Sequence, residues 1–239
     1  MTLSTLFRAI GINAIRLEGG YKGYRKYIND NLPRLVDEVK FIVLYGNTGS
    51  GKTEILKYLN EMDRDILDLE ACANHRGSLF GGVGLGQPNS QKMFESLVFE
   101  SLKNRRSNII FTEGESKRIG RIVMPEYLFN AVKSGDNILI DTDMNLRVDN
   151  ILKDYVNDID DELIQSLGYL KEHIGNINVE KLSELIKSHD YKTVIEVLML
   201  KYYDPMYEYK NREYIAHFKN SDAKLTAKEI ITSLSTIYS

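Results

Sequence analysis

Gly46-Asn47-Thr48-Gly49-Ser50-Gly51-Lys52-Thr53 constrains this chain more than any other segment. It fits G-x-x-x-x-G-K-[ST] and follows directly on Lys40-Phe41-Ile42-Val43-Leu44-Tyr45, a run of β-branched and aromatic residues. Such a run suits a strand covered on both faces, as in a parallel sheet. Residues 54–62 then show helical spacing. Strand, glycine-rich turn and helix together make a P-loop, in which successive backbone N–H groups curl around phosphate oxygens. The helix adds its positive end. Lys52 supplies a charge for the outer phosphate, and Thr53 a hydroxyl for Mg²⁺. All eight residues are candidate phosphate contacts.

Three further short apolar runs, at 66–69, 108–111 and 137–140, alternate with helical patterns at 91–103 and 125–133. Alternation of this kind predicts βαβ units, hence an α/β fold with a P-loop-type parallel sheet flanked by helices. From Leu146 the spacing turns helical, through Leu152, Tyr155, Val156, Ile159, Leu163, Leu167 and Leu170, and again through Val179, Leu182, Leu185 and Ile186. A denser stretch at 194–203 ends at Asp204-Pro205, where a helix is expected to stop. Ahead of the P-loop lie a short amphipathic start (Leu3, Leu6, Phe7, Ile10), Gly19-Gly20, and a basic helix with Tyr21, Tyr24 and Tyr27 every third residue. Pro33 is expected to mark the end of that helix or a turn into the next element. The reading gives three parts: an N-terminal extension at 1–38, a P-loop core at 39–146, and a helical C-terminal part at 147–239.

Composition excludes several classes. With 43% hydrophobic and 27% charged residues, the chain of 239 is an ordinary globular sequence. No uncharged apolar run reaches the ~18 residues of a membrane helix, and Met1-Thr2-Leu3 leads into no signal-type segment. The single cysteine, Cys72, excludes an internal disulfide and a cysteine metal cluster, so a reducing cytoplasm is the expected compartment. The net charge of −3 is unevenly spread: residues 1–40 carry seven Lys/Arg against four Asp/Glu, and 136–190 carry five against thirteen. Binding to nucleic acid stays open on this count.

A P-loop needs an acidic neighbour near its metal. Asp68 and Glu70 follow the second strand, and Glu113 and Glu115 the third. Asp68 and Glu115 are candidate bases, and Glu113 a candidate Mg²⁺ ligand beside Thr53. Asn74-His75-Arg76-Gly77-Ser78 opens a glycine-heavy loop through Gly81-Gly82, Gly84 and Gly86, long enough to be functional or disordered. Ser90, Gln91 and Lys92 are placed to cap the next helix, a second anion-binding end or simply a cap. Ser116-Lys117-Arg118 and Arg121 put three cations beyond a strand end, where a second polyanion or a nucleic-acid backbone would lie, or where a solvated basic face would. Lys22 and Arg25 interleave with the tyrosines, which either stack bases or pack the core.

These pieces occur in an order that resembles the C-terminal P-loop part of the tRNA 2-selenouridine synthase family. The matching segments are Arg16-Leu17-Glu18-Gly19-Gly20-Tyr21-Lys22, the P-loop, Asp68-Leu69-Glu70 and His75-Arg76-Gly77-Ser78. Ser90-Gln91-Lys92, Phe94-Glu95, Glu115-Ser116-Lys117-Arg118-Ile119-Gly120 and Tyr203-Asp204-Pro205-Met206-Tyr207 complete them, covering nearly the whole chain. The resemblance implies action on wobble 2-thiouridine in the tRNA anticodon. The sulfur is geranylated with geranyl diphosphate, and selenium from selenophosphate then replaces the S-geranyl group. Lys52, Thr53, Asp68 and Glu115 would serve the chemistry. His75, Arg76, Ser78, Ser90, Gln91, Lys92, Ser116, Lys117, Arg118, Arg121, Lys22 and Arg25 would hold tRNA or a second anion. In the family a rhodanese-like domain with a catalytic cysteine precedes this region. Only its trailing end, residues 16–25, has a counterpart here, so the resemblance implies a separate rhodanese-like partner or a shortened chain. Cys72 lies in the P-loop half and does not correspond to the rhodanese cysteine. Two other classes fit the P-loop alone: a kinase or nucleotide hydrolase using Asp68 or Glu115 as base, and a non-catalytic tRNA-binding module.

Overall fold

The computed structural model describes residues 2–78, 80–154, 160–206 and 212–235. Its centre is the apolar run before the P-loop, strand β1 (Lys40–Tyr45), whose side chains alternate between two cores. Phe41, Val43 and Tyr45 face one layer of helices; Ile42 and Leu44 face the other. Strands β2 (Asp65–Leu67), β3 (Ile109–Glu113), β4 (Arg118–Ile119), β5 (Ile122–Val123), β6 (Asp136–Asp141) and β7 (Ala216–Lys219) follow. Five of them form one sheet in the order β2-β3-β1-β6-β7, every pair parallel. β4 and β5 form a separate antiparallel hairpin.

The helices are α1 (Leu3–Ala9), α2 (Gly20–Asp37), α3 (Lys52–Glu61), α4 (Leu69–Ala73), α5 (Gln91–Lys103), α6 (Glu126–Lys133) and α7 (Met144–Asp154). Next come α8 (Asp160–Gly168), α9 (Lys171–Ile174), α10 (Asn176–Lys187) and α11 (Tyr191–Leu198), then a π-helical turn (Met199–Tyr203), α12 (Asp204–Met206) and α13 (Ala223–Ser235). One face of the sheet is covered by α2, α5 and α6 through Ile28, Phe94, Phe99 and Leu128; the other by α3 and α13 through Ile55, Leu59 and Ile230. The expected α/β P-loop architecture is therefore present, with a helical segment set off by its own core of Leu163, Leu167, Leu182, Ile186, Val194 and Leu198.

Three local expectations give way to packing. Pro33 lies inside α2 rather than at its end, because Leu32 and Val36 on either side of it are buried against the sheet and carry the helix onward to Asp37. Asp204-Pro205 does not stop the helix: α11, the π-helical turn and α12 run on without a break to Met206, with Pro205 in the last turn. The segment from 147 on is not helical throughout. After Met206 the chain returns to the sheet, where Ala216-His217-Phe218-Lys219 pairs with β6 and α13 packs on α3. β7 is a short edge strand with one buried side chain, Phe218, so its sequence carries no strand period. The expected helical positions Tyr155, Val156 and Ile159, and Tyr207 of the last motif, lie outside the described residues. Among the described residues no helix is long and apolar enough to cross a membrane.

Candidate functional site

Parallel strands bring their carboxyl ends to one edge, and β1 leaves the sheet between neighbours whose crossovers run in opposite directions, the place where such sheets bind ligands. There the P-loop turns through Gly49 and Gly51, at φ +78° and +83°, in the left-handed region that side chains rarely adopt. A Cβ at Gly49 would also stand 2.6 Å from the Arg147 carbonyl oxygen. Lys52 folds back along the loop, its Nζ donating to the Gly46 carbonyl at 2.8 Å, with Asn47 O and Ser50 Oγ each at 3.4 Å.

Three consecutive carbonyls of the loop are held from outside it. Arg147 Nε donates to Thr48 O at 2.9 Å, and Asn150 Nδ2 to Gly49 O at 3.0 Å. Thr142 Oγ1 at 2.9 Å and Asn220 Nδ2 at 2.8 Å both donate to Ser50 O. Arg147 is buried and completes its fork on Asp204, at 3.0 and 2.6 Å. None of these positions was a sequence candidate except Asp204, which stands in one of the matching segments. The others are single polar residues in ordinary helical or strand-end contexts, and only the folded chain shows what they touch.

Opposite Lys52 stand three carboxylates. Thr53 Oγ1 donates to Glu70 Oε2 at 3.3 Å, and the Glu70 N–H donates to Glu113 Oε1 at 2.9 Å. Glu113 is 1% exposed and its Oε2 is buried without a hydrogen-bond partner. Glu115 lies beside Gly77, together with Glu70. Burial is the main cause in each titration. It pushes Glu70 up to about 8, with the Glu115 charge adding to it. Glu113 is raised well above the usual carboxylate range by burial and then by Asp68 and Glu70. Glu115 is raised by burial against the pull of Lys52. Burial lowers Lys52, opposed by Glu115, Glu70 and Glu113. One cation among three dehydrated carboxylates is an environment that holds protons near neutrality.

Mg²⁺ is the metal that a P-loop implies. Among the described residues no group of three or more His, Cys, Asp and Glu side chains could hold a metal ion by itself. The all-oxygen set of Thr53, Glu70 and Glu113, with one buried carboxylate oxygen left over, suits a hard cation that takes its other ligands from phosphate and water.

The remaining candidates separate by position. Asp68 is the N-cap of α4, accepting from Ala71 N at 2.7 Å. Arg76, Ser78 and Ser116 line the cleft with Glu115; Arg76 also donates to Val83 O at 2.9 Å, which pins the glycine-rich loop. The His75 ring is packed behind the cleft against Gly81, Gly82 and Gly120, its Nδ1 buried without a partner, and burial lowers its pKa. Ser90 caps α5, and Gln91 bonds both ways to the backbone of Val123 at 2.9 and 3.0 Å. Arg25 is paired with Glu95 and bonded to Lys92 O and Ser96 Oγ, joining α2 to α5. Lys92 lies over the Tyr21 ring at 5.8 Å. Lys117 pairs with Glu126, and Arg121 bonds to the carbonyls of Pro88 and Asn89. Lys22 and Arg118 are exposed. Of the three tyrosines, Tyr24 packs on the core, Tyr27 meets Phe99 edge-on and Tyr21 is 61% exposed.

The cleft has a volume of about 670 Å³ and two kinds of wall. One is the polar end just described. The other is apolar, from Phe80, Leu163, Ile186, Val194, Leu198, Met199 and Tyr203 of the glycine-rich loop and the helical segment.

Comparison with known proteins gives the family. The family model described as "tRNA 2-selenouridine synthase AAA domain" matches residues 39–174. The tRNA 2-selenouridine synthase of Pseudomonas syringae pv. syringae is 31% identical, over 91% of this chain and 67% of its own length. That of Alcanivorax borkumensis is 30% identical, over 95% and 70%. That of Aeromonas salmonicida is also 30% identical, over 87% and 63%, so the chain spans about two thirds of such relatives. Among solved structures, shikimate kinase from Acinetobacter baumannii in complex with shikimate aligns over 85% of this chain and 97% of its own, at 17% identity and a TM-score of 0.38. The family match covers the P-loop, the carboxylates and most of the cleft's polar wall: the chain belongs to the tRNA 2-selenouridine synthase family.

Proposed function

We propose that this chain is a transferase that binds geranyl diphosphate in the cleft and passes the geranyl group to the sulfur of wobble 2-thiouridine in a tRNA anticodon. Selenium of selenophosphate then bonds to C2 of the base as geranylthiolate leaves, and water takes the phosphoryl group off selenium as phosphate, with a separate rhodanese-like protein as partner. The observation that carries the reading is the two-walled cleft, an anion cradle at one end and an apolar limb at the other. A P-loop alone suits any phosphate; apolar side chains in the same cavity suit a phosphate that bears a hydrocarbon chain.

In the transfer, sulfur forms a bond to the allylic carbon while the carbon–oxygen bond breaks, and diphosphate leaves with the electron pair. The P-loop N–H groups and Lys52 meet the charge that develops on the leaving oxygens. Thr53, Glu70 and Glu113 would hold Mg²⁺, which neutralises diphosphate when bound. The alkylated base sheds its ring N–H proton, and Glu115, the carboxylate lining the cleft that is not assigned to Mg²⁺, is the group to accept it. The base must leave the anticodon stack to reach the site, which a single-stranded loop permits. Lys22, Lys92, Arg118 and the cleft-lining Arg76 are the cations that would guide tRNA.

Nucleoside mass spectrometry of 2-thiouridine tRNA incubated with the chain, Mg²⁺ and geranyl diphosphate tests the reading, with selenophosphate and the rhodanese-like protein added in separate tubes. An S-geranyl adduct is expected from the chain alone. Nucleotide hydrolysis without any adduct would favour a kinase or hydrolase instead.

A further inference from the structure

The P-loop works only if its N–H groups point at the ligand, and a trans peptide plane turns as a unit, so fixing a carbonyl on one side fixes the next N–H on the other. The Ser50 N–H is engaged with Asn47 O at 3.0 Å. The peptide before Gly49 is held by Arg147 Nε on Thr48 O, at 2.9 Å. Arg147 in turn is fixed by a two-bond pair with Asp204 at 3.0 and 2.6 Å, the side chains being 6% and 23% exposed. Asp204 directly follows the π-helical turn, from which Met199 and Tyr203 line the apolar limb. A helix of this kind inserted before a functional contact re-aims the residues after it.

We infer that Arg147 and Asp204 are a positioning pair that aims the Gly49 N–H into the anion site, so that the helical segment sets the P-loop's grip on diphosphate. Arg147 itself is committed to protein partners, one carbonyl and one carboxylate, and its role is to orient rather than to touch the ligand. Lysine cannot replace it, since a single ammonium does not reproduce the fork. The inference rests on the anion site and holds whichever diphosphate the reaction uses.

Calorimetric titration of the folded protein with inorganic diphosphate and Mg²⁺ tests it. Asp204→Asn leaves the buried guanidinium with half its pair, and affinity is expected to fall about ten-fold. Arg147→Lys falls alike, while Asp204→Glu, which keeps the carboxylate, stays within about three-fold of the parent. In ¹⁵N spectra at saturating diphosphate the Gly49 amide shifts in the parent and shifts markedly less in Asp204→Asn. Should Asp204→Asn not fold, Arg147→Lys decides. Parent-like diphosphate affinity in Arg147→Lys, or a loss in Asp204→Glu as large as that in Asp204→Asn, would overturn the pair. Failure of tRNA geranylation with this pattern intact would sink the geranyl reading and leave the pair standing.

Discussion

Thr53 Oγ1 donates to Glu70 Oε2 at 3.3 Å, joining the first turn of α3 to the first turn of α4. Through the Glu70 N–H and Glu113 the contact continues to β3, so three elements meet at the residues that face Lys52. The arrangement stores carboxylates where water is scarce. It is suited to a cation or a proton and costs stability without either.

That cost makes stability depend on pH. Glu70 is raised from 4.5 to about 8, so the folded chain binds its proton more tightly than the unfolded chain. The contribution is fully present below the unfolded value, and is lost as pH rises through the folded one. Lys52, lowered by burial, acts in the opposite sense. The comparison is therefore with Glu70→Gln, which removes the carboxyl's share alone. The melting temperature of the metal-free parent should fall relative to Glu70→Gln between about pH 5 and pH 8, by roughly 2–4 °C per kcal/mol. Parallel melting profiles for the two proteins would refute this.

Gly77 has a φ of +65°, and a Cβ there would lie 2.6 Å from Glu115 Oε2 and 2.8 Å from Glu70 Oε1. Gly77→Ala is expected to cost about 1–2 kcal/mol of stability from the backbone alone. Since the displaced oxygens belong to the site, product formation should drop more steeply than that loss explains. Kinetics and a denaturant titration on the same sample separate the two. Activity that tracks stability alone would place Glu70 and Glu115 outside the chemistry.

Arg25 and Lys22 share a helix and a basic, tyrosine-rich stretch, yet they should behave differently. Arg25 is paired with Glu95 and bonded to the α5 backbone, so Arg25→Ala is expected to lose about 1–3 kcal/mol of stability with an unchanged salt dependence of tRNA binding. Lys22 is exposed, and Lys22→Ala should reduce the slope of log K against log salt by about 0.7–0.9 per lost phosphate contact. Filter binding across a salt series reads both. Equal slopes for parent and Lys22→Ala would remove this face from the tRNA path.

Much of the fold was legible because it rests on continuous apolar runs. The stretch at 40–45 and the three like it became four adjacent parallel strands of the sheet. The fifth was not, since Phe218 alone of β7 is buried and its neighbours are partly or fully exposed. The P-loop was readable from its glycines and lysine. The carboxylates were readable as strand-end acids, but not their division of labour, because Asp68 is turned to the α4 backbone and Glu70, two residues on, is turned to Thr53. The contacts of Arg147, Asn150 and Asn220 with the P-loop span from 99 to 170 residues of sequence, and no local pattern encodes them. The basic candidates show the same limit: Arg25 is held against Glu95 inside the α2–α5 contact, Lys117 and Arg121 are exposed with protein partners beside them, Lys22 and Arg118 are exposed, and composition does not separate them.

In the proposed function the P-loop end of the cleft holds the diphosphate from which the geranyl group leaves. The direct measurement is nucleoside mass spectrometry of 2-thiouridine tRNA after a single turnover with geranyl diphosphate and Mg²⁺, comparing the parent with Lys52→Ala. The parent should yield S-geranyl-2-thiouridine and Lys52→Ala none, with tRNA binding by the two proteins alike. An equal adduct from Lys52→Ala would contradict it.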